Sequence, residues 1–311
     1  MRRGMTPGFL ALALLTIALF PDVAYAWTPG THVALGDAVL ASLHLLPQSV
    51  ADLLRAFPYD FLYGSIAADS SIAKKYAPVG RHCHSWVVGL EIYDRARDDD
   101  PLRAFGLGYL AHLSADAVAH NYFVPRQLAV TSSTSALGHS YWESRFETHL
   151  SERFSRNARE LLLRDHSRSD AHLDRILSPT IFSTHTNRRI FRGMVVAADS
   201  ESWQRVFHLL VENSRWDLDE LSVARYLERS FDFIVDLLNR FDESVPYGLD
   251  PAGDDQLRFA KRVRRTAIQR GGGTHVARQA ARYFGLPRTT LSYAAGLELP
   301  IYDTLARSDN I

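Results

Sequence analysis

The chain has 311 residues, 46% hydrophobic and 23% charged, with 35 basic residues balanced by 35 acidic ones. This composition excludes a disordered chain and a globally basic nucleic-acid binder, and it can support one large core or a core with a smaller appendage. A single cysteine, Cys83, excludes an internal disulfide framework. The basic residues are almost all arginine; lysine occurs only at Lys74, Lys75 and Lys261, which reads as a bias of codon usage.

The first segment, M-R-R-G-M-T-P followed by G-F-L-A-L-A-L-L-T-I-A-L-F and P-D-V-A-Y-A, has the basic, apolar and small-x-small parts of a secretory signal peptide over residues 1–26. Cleavage after Ala26 would make Trp27 the mature terminus and send the protein to the periplasm or beyond. The alternative is an uncleaved membrane anchor. Apolar spacing then predicts helices over 31–45 and 48–57, the second ended by Pro58. The stretch F-L-Y-G-S-I-A-A-D-S-S-I-A-K-K-Y leads into a polar loop around Pro78. Further helices are predicted over 85–96, 101–123 and from 139 onward, with a polar T-S-S-T-S loop at 131–135 between the last two. Others follow at about 155–164, 187–198, 201–213 and 220–241. The acidic run 98–100 reads as helix punctuation, and no segment has a convincing strand alternation. The expected fold is therefore all-α, a multi-helix bundle. A boundary near Val245-Pro246-Tyr247-Gly248 divides a main domain, 27–245, from a helical C-terminal extension, 246–311. Gly271-Gly272-Gly273 forms a hinge within that extension's basic region, and the sequence does not decide whether the extension packs on the bundle.

Within the 101–123 helix, His112, Asp116 and His120 follow at intervals of four. Such residues share one stripe of an α-helix. One histidine on an apolar face is ordinarily a hydrogen-bonded core residue. A carboxylate between two imidazoles among Leu110, Leu113, Ala115, Val118 and Ala119 is costly to bury without a cation. His139 and Glu143 repeat the spacing on the next helix. Alone they would be a solvated pair, but two ligand stripes facing across a bundle make a metal site. Glu147, on the same face, is placed to orient a ligand histidine. At the start of the mature chain, W-T-P-G-T-H could chelate through the Trp27 amine and carbonyl, with Pro29-Gly30 returning His32 to the same ion. Read without its neighbours, the same stretch is a processing junction and a helix cap.

Taken in order, W-T-P-G-T-H, the aspartate of G-S-I-A-A-D, the histidine of H-S-W, H-x-x-x-D-x-x-x-H and H-x-x-x-E resemble the zinc-dependent phospholipase C and P1-type nuclease superfamily over residues 27 to 150. The short Asp116 to His120 interval looks more like the branch with the N-terminal domain of glycosylphosphatidylinositol-specific phospholipase D. The resemblance implies a trinuclear metal cleft holding up to three Zn2+ ions. Asp69, His84 and His112 would hold one ion, with Asp116 bridging to a second held by Trp27 and His32. His120, His139 and Glu143 would hold the third. Asp69 and Asp116 are the implied catalytic carboxylates. His82 competes with His84, which Trp86 favours in the family manner, and Asp60 competes with Asp69. Cys83 reads as a small buried side chain.

The implied activity is secreted zinc-dependent phosphodiester hydrolysis of the phospholipase C type, with a metal-bound hydroxide as nucleophile. A nuclease or phosphatase with the same metals is the nearest alternative. A non-catalytic, metal-stabilised binding module is a third reading, disfavoured because nine ligands shared by three ions leave open positions. The expected partner is a phospholipid or other phosphodiester, with peripheral membrane contact compatible and no stable nucleic-acid partner. Tyr122, Phe123, Tyr141 and Trp142 near the ligands read first as bundle core.

Overall fold

Proline gives up only a donor that the first helical turn leaves unused, so it opens helices as readily as it ends them. In the computed structural model, which describes residues 27–72, 74–78, 80–131, 135–297 and 299, Pro29, Pro58 and Pro101 all lie in first turns. Helix α1 spans Pro29–Ala41, α2 Gln48–Ala56, α3 Pro58–Ala67, α4 Trp86–Asp94 and α5 Asp100–Val118. Then come α6 Val124–Thr131, α7 Ser135–Glu147, α8 Arg153–Leu162, α9 Ser167–Asp174 and α10 Thr184–Ala198. Helices α11 Glu201–Glu212, α12 Glu220–Arg240 and α13 Asp254–Phe284 complete the chain. No strand occurs among the described residues, so the expected all-α class holds. The predicted signal segment lies outside the described residues.

Two differences from the predicted elements have local causes. Pro58 does end α2, but it also starts α3, which the sequence reading left as a connection. The helix expected over 139–154 stops at Glu147, and the one expected at about 155–164 begins at Arg153. Helix α9 was not anticipated.

Helix α5 is the axis of the bundle. Its residues from Ala104 to Val118 are all buried, and α3, α4 and α12 pack along it. The approach of α3 is set by glycine. A Cβ on Gly64 would lie 2.0 Å from the Phe105 carbonyl oxygen, and one on Gly108 would lie 2.0 Å from the Phe61 carbonyl oxygen. Neither backbone can yield without separating the helices. Gly108→Ala is therefore expected to lower stability by about 3 kcal/mol, read from urea unfolding. This contact holds the end of α3, and Asp69 just beyond it, against the ligand-bearing part of α5.

The predicted stripe would continue through His120 only if the helix kept its α pitch. Instead Ala119–Phe123 forms a π-helical turn before α6 begins. Asn121 satisfies a carbonyl in the altered ladder, its Nδ2 donating to Ala117 O at 2.8 Å, and it also donates to Asp250 O at 2.8 Å. A π turn frequently marks a functional site because it redirects one side chain without ending the helix. Here the redirected side chain is His120. The tail question is also answered: α13 packs on α6, with Arg264 Nη1 donating to Ala129 O at 3.0 Å and Val130 O at 2.6 Å.

Candidate metal centre

Asp116 stands at the middle of the first cluster. Its Oδ2 lies 3.0 Å from Nε2 of both His84 and His112, and its Oδ1 lies 3.2 Å from Nε2 of His32. Asp69 Oδ1 is 3.3 Å from His84 Nε2 and 3.9 Å from His112 Nε2. Helix α1 supplies His32, the 3-10 turn Ala68–Ser70 supplies Asp69, the loop before α4 supplies His84, and α5 supplies the other two. All five are buried.

The protonation of these rings follows from their other contacts. His112 Nδ1 is 2.8 Å from the carbonyl oxygen of Ser65, which can only accept, so Nδ1 carries the proton. In the neutral ring the Nε2 lone pair then faces the lone pairs of Asp116. Burial raises the Asp116 carboxyl, but the imidazoles of His112, His32 and His84 gathered around it outweigh burial and hold the group well below the usual range. His32 Nε2, Asp69 Oδ2 and both Asp116 oxygens are buried without a directed hydrogen bond. Such a cluster offers acceptors in excess of donors, which a bound cation would satisfy.

The second cluster adjoins it. His139 Nε2 lies 2.6 Å from Glu143 Oε1, and the His120 ring stands edge-on to His139 with centroids 5.1 Å apart. His120 Nδ1 donates to the Pro251 carbonyl at 2.6 Å, which turns Nε2 toward its neighbours. Burial pushes both histidines down to about 3, so they are neutral. Burial, followed by the charges of Asp69 and Asp116, pushes Glu143 well above the usual carboxyl range. A protonated Glu143 beside a neutral imidazole puts a proton where a metal would sit. The donor atoms of this triad all lie within 4.8 Å of one another.

All nine sequence-predicted residues thus fall at or beside the site. Trp27 does so through its side chain: the indole Nε1 donates to Ala115 O at 3.0 Å, the residue before Asp116, and the ring packs on Phe123 and Phe146. Between the competing pairs, Asp69 enters the cluster and Asp60 is only half-buried at the start of α3. His82 accepts a hydrogen bond from the His84 amide at 3.1 Å, while His84 takes the inner position. Cys83 is buried with Sγ 3.2 Å from His84 Nδ1, where it helps fix that ring. Glu147 does not meet a ligand histidine; it accepts from Ser155 Oγ at 2.5 Å and lies against Gly30. Phe123 and Trp142 are fully buried, as core aromatics would be.

The sequence reading missed Lys74. Its Nζ lies 3.0 Å from Asp69 Oδ1 and 3.1 Å from His84 Nε2. Burial raises Asp69, but the Lys74 charge, with the His112 and His84 imidazoles beside it, brings it below the usual range. The only available signal was that a lysine, rare in this arginine-rich chain, follows Asp69 by five residues. Because the ammonium occupies atoms a metal would need, Lys74→Met is expected to tighten zinc binding by about tenfold, measured by competition with a chelating dye.

An all-α bundle whose central helix gathers imidazoles and carboxylates into adjoining clusters is the framework of a multinuclear metalloprotein with nitrogen and oxygen donors. Residues 31–189, about half of the chain, match the family described as zinc dependent phospholipase C, and the chain belongs to that family. The match includes every candidate ligand except Trp27. No curated protein and no solved structure matches the chain. The family makes zinc the expected cofactor and phospholipids or other phosphodiesters the substrate class. No described helix is long and apolar enough to cross a membrane.

Proposed function

We propose that this protein is an exported zinc-dependent phosphodiester hydrolase that acts on phospholipids in the manner of a phospholipase C. The observation that carries the reading is the convergence of His32, His84 and His112 on Asp116, with buried donor atoms left without directed hydrogen bonds. Bound zinc lowers the pKa of a water molecule toward 7 and draws charge from phosphoryl oxygens.

The residues divide the work by position. His32, Asp69, His84, His112 and Asp116, with the Trp27 backbone, form a cradle for a pair of ions; His120, His139 and Glu143 form a cradle for a third. Ser65 O and Pro251 O fix the tautomers of His112 and His120. Asp69 and Asp116 supply the negative charge that binds the ions and orients the reacting centre. Lys74 supplies a positive charge at the same rim, suited to an anionic phosphodiester. A nucleotide reading would call for exposed aromatic platforms beside the ligands; Phe123 and Trp142 are buried while Tyr122 and Tyr141 are partly exposed, so the aromatics do not separate the two readings and the substrate test must.

The test is hydrolysis by the processed chain, reconstituted with zinc, of phosphatidylglycerol and phosphatidylcholine vesicles and of a water-soluble phosphodiester. Release of the phosphorylated head group, abolished by chelation and restored by zinc, is the expected result. Cleavage of nucleic acid alone would move the assignment to a nuclease. Zinc binding with no phosphodiester turnover on any of these substrates would leave a metal-stabilised binding module.

A further inference from the structure

Residues 256–297 contain nine of the chain's 35 basic residues and none of its 35 acidic ones. In a chain with no net charge, this is a strong local separation of sign. The segment is also folded in a way that displays the charge. Gly272 leaves helical geometry with φ 69° and ψ −160°, and α13 doubles back as a hairpin. Its arms meet through Phe259, whose ring centroid lies 5.1 Å from Tyr283 and 5.6 Å from Phe284. A small core of Ala129, Ala260, Val263, Ala280 and Phe284 seals the hairpin onto α6. Arg258 pairs with Asp255 at the first turn of α13, and with the apolar face committed inward, Arg262, Arg265, Arg270, Arg278 and Arg282 are left exposed.

The hairpin is rooted in the wall of the metal centre. Gly253, at its base, adopts φ 62° and lies against His120, with no room for a Cβ: one there would come within 2.4 Å of the His120 Cβ. Pro251, two residues earlier, accepts the His120 hydrogen bond. A surface held by this hairpin is therefore held beside the candidate catalytic cluster.

We propose that the α13 hairpin is the docking face for an anionic lipid surface, delivering the site to the bilayer in which its substrate lies. This rests on the lipid-hydrolase reading above. Arginine pairs with lipid phosphates as it pairs with any phosphate. What favours a membrane over a nucleic acid is a large aliphatic group among the arginines: Ile268 is 51% exposed. Side chains of this kind gain by entering the head-group region, whereas a phosphate backbone offers them nothing.

The experiment measures sedimentation of the zinc-loaded full chain with phosphatidylglycerol vesicles and with phosphatidylcholine vesicles, in brief incubations on ice. Binding is expected to be at least about tenfold tighter to the anionic vesicles and to fall as ionic strength rises from about 0.05 to about 0.5 M. The triple variant Arg265→Glu, Arg270→Glu, Arg278→Glu should lose about tenfold or more of that binding. Its zinc content and its hydrolysis of a soluble phosphodiester should stay unchanged. Ile268→Ser, which leaves every charge in place, provides a second variant and should weaken vesicle binding by about threefold. Equal binding to both vesicle types, undiminished binding by the triple variant, or tighter binding to duplex DNA would overturn the proposal. Soluble-substrate hydrolysis without vesicle preference removes the docking face and keeps the enzyme; vesicle preference without hydrolysis removes the enzyme and keeps the docking face.

Discussion

Asp116→Asn is expected to abolish most of the hydrolytic activity, lowering kcat/KM by about 10³-fold, and to reduce bound zinc. The magnitude follows from what the carboxylate does in the cluster. Both of its oxygens are buried and lack a directed hydrogen bond, and imidazoles from α1, from the loop before α4 and from α5 itself converge on them. An amide of the same shape keeps the packing and removes the charge that offsets a divalent ion. Losing several kcal/mol of electrostatic stabilisation at one ion corresponds to about 10³ in rate.

The metal-free Asp116→Asn protein should be less stable than the metal-free parent, because the imidazoles around the carboxylate favour its charged form in the fold. The rise in Tm on adding zinc should shrink, since a ligand stabilises only what it binds. Glu147→Gln gives the contrast. Glu147 accepts from Ser155, lies against Gly30 and belongs to none of the donor clusters, so this variant should keep its zinc. Elemental mass spectrometry on the two variants decides: greater zinc loss from Glu147→Gln than from Asp116→Asn would mean that the ligand assignment is wrong.

How much of this site could be read in advance depended on whether a residue's partner was local. His112 with Asp116, and His139 with Glu143, are separated by single helical turns, so spacing alone placed each pair together. Spacing put His120 in line with His112 and Asp116, while the family resemblance put it with His139 and Glu143; the structure groups it with His139 and Glu143, within a π turn at Ala119–Phe123. That turn depends on Asn121 reaching Ala117 O and on Pro251 O waiting for His120, a partner 131 residues away that no window over the sequence contains. Pro58 was ambiguous in the same way, since proline both ends one helix and begins another. Lys74 was invisible because its meaning lies in its position between Asp69 and His84, and His84 is brought there only by the fold. What remained hidden was long-range hydrogen bonding and the glycine contact between α3 and α5, neither of which has a period.

Extending the chain by a few residues ahead of Trp27 is expected to cost one zinc ion per molecule and to lower activity by about 10²-fold. Cleavage after Ala26 would free the Trp27 amine, and an amine with its own carbonyl closes a five-membered chelate ring. The indole of Trp27 is already fixed to Ala115 O and packed against Phe123 and Phe146, so residue 27 is anchored to the turn of α5 that carries Asp116 without any help from metal. Thr28 caps α1 by accepting from the Thr31 amide at 3.4 Å, and His32 follows one residue later with Nε2 on Asp116. A peptide bond ahead of Trp27 converts the basic amine into an amide that no longer offers a lone pair, while the indole anchor and His32 remain. The loss should therefore be confined to one ion and to catalysis, leaving helicity and the remaining zinc unchanged. The effect of removing one metal-supporting group is about two orders of magnitude in rate. Mass spectrometry of the intact protein under native conditions would count the ions on both forms. Equal zinc and equal turnover in the extended chain would exclude the amine as a ligand and leave His32 and Asp116 to hold that position alone.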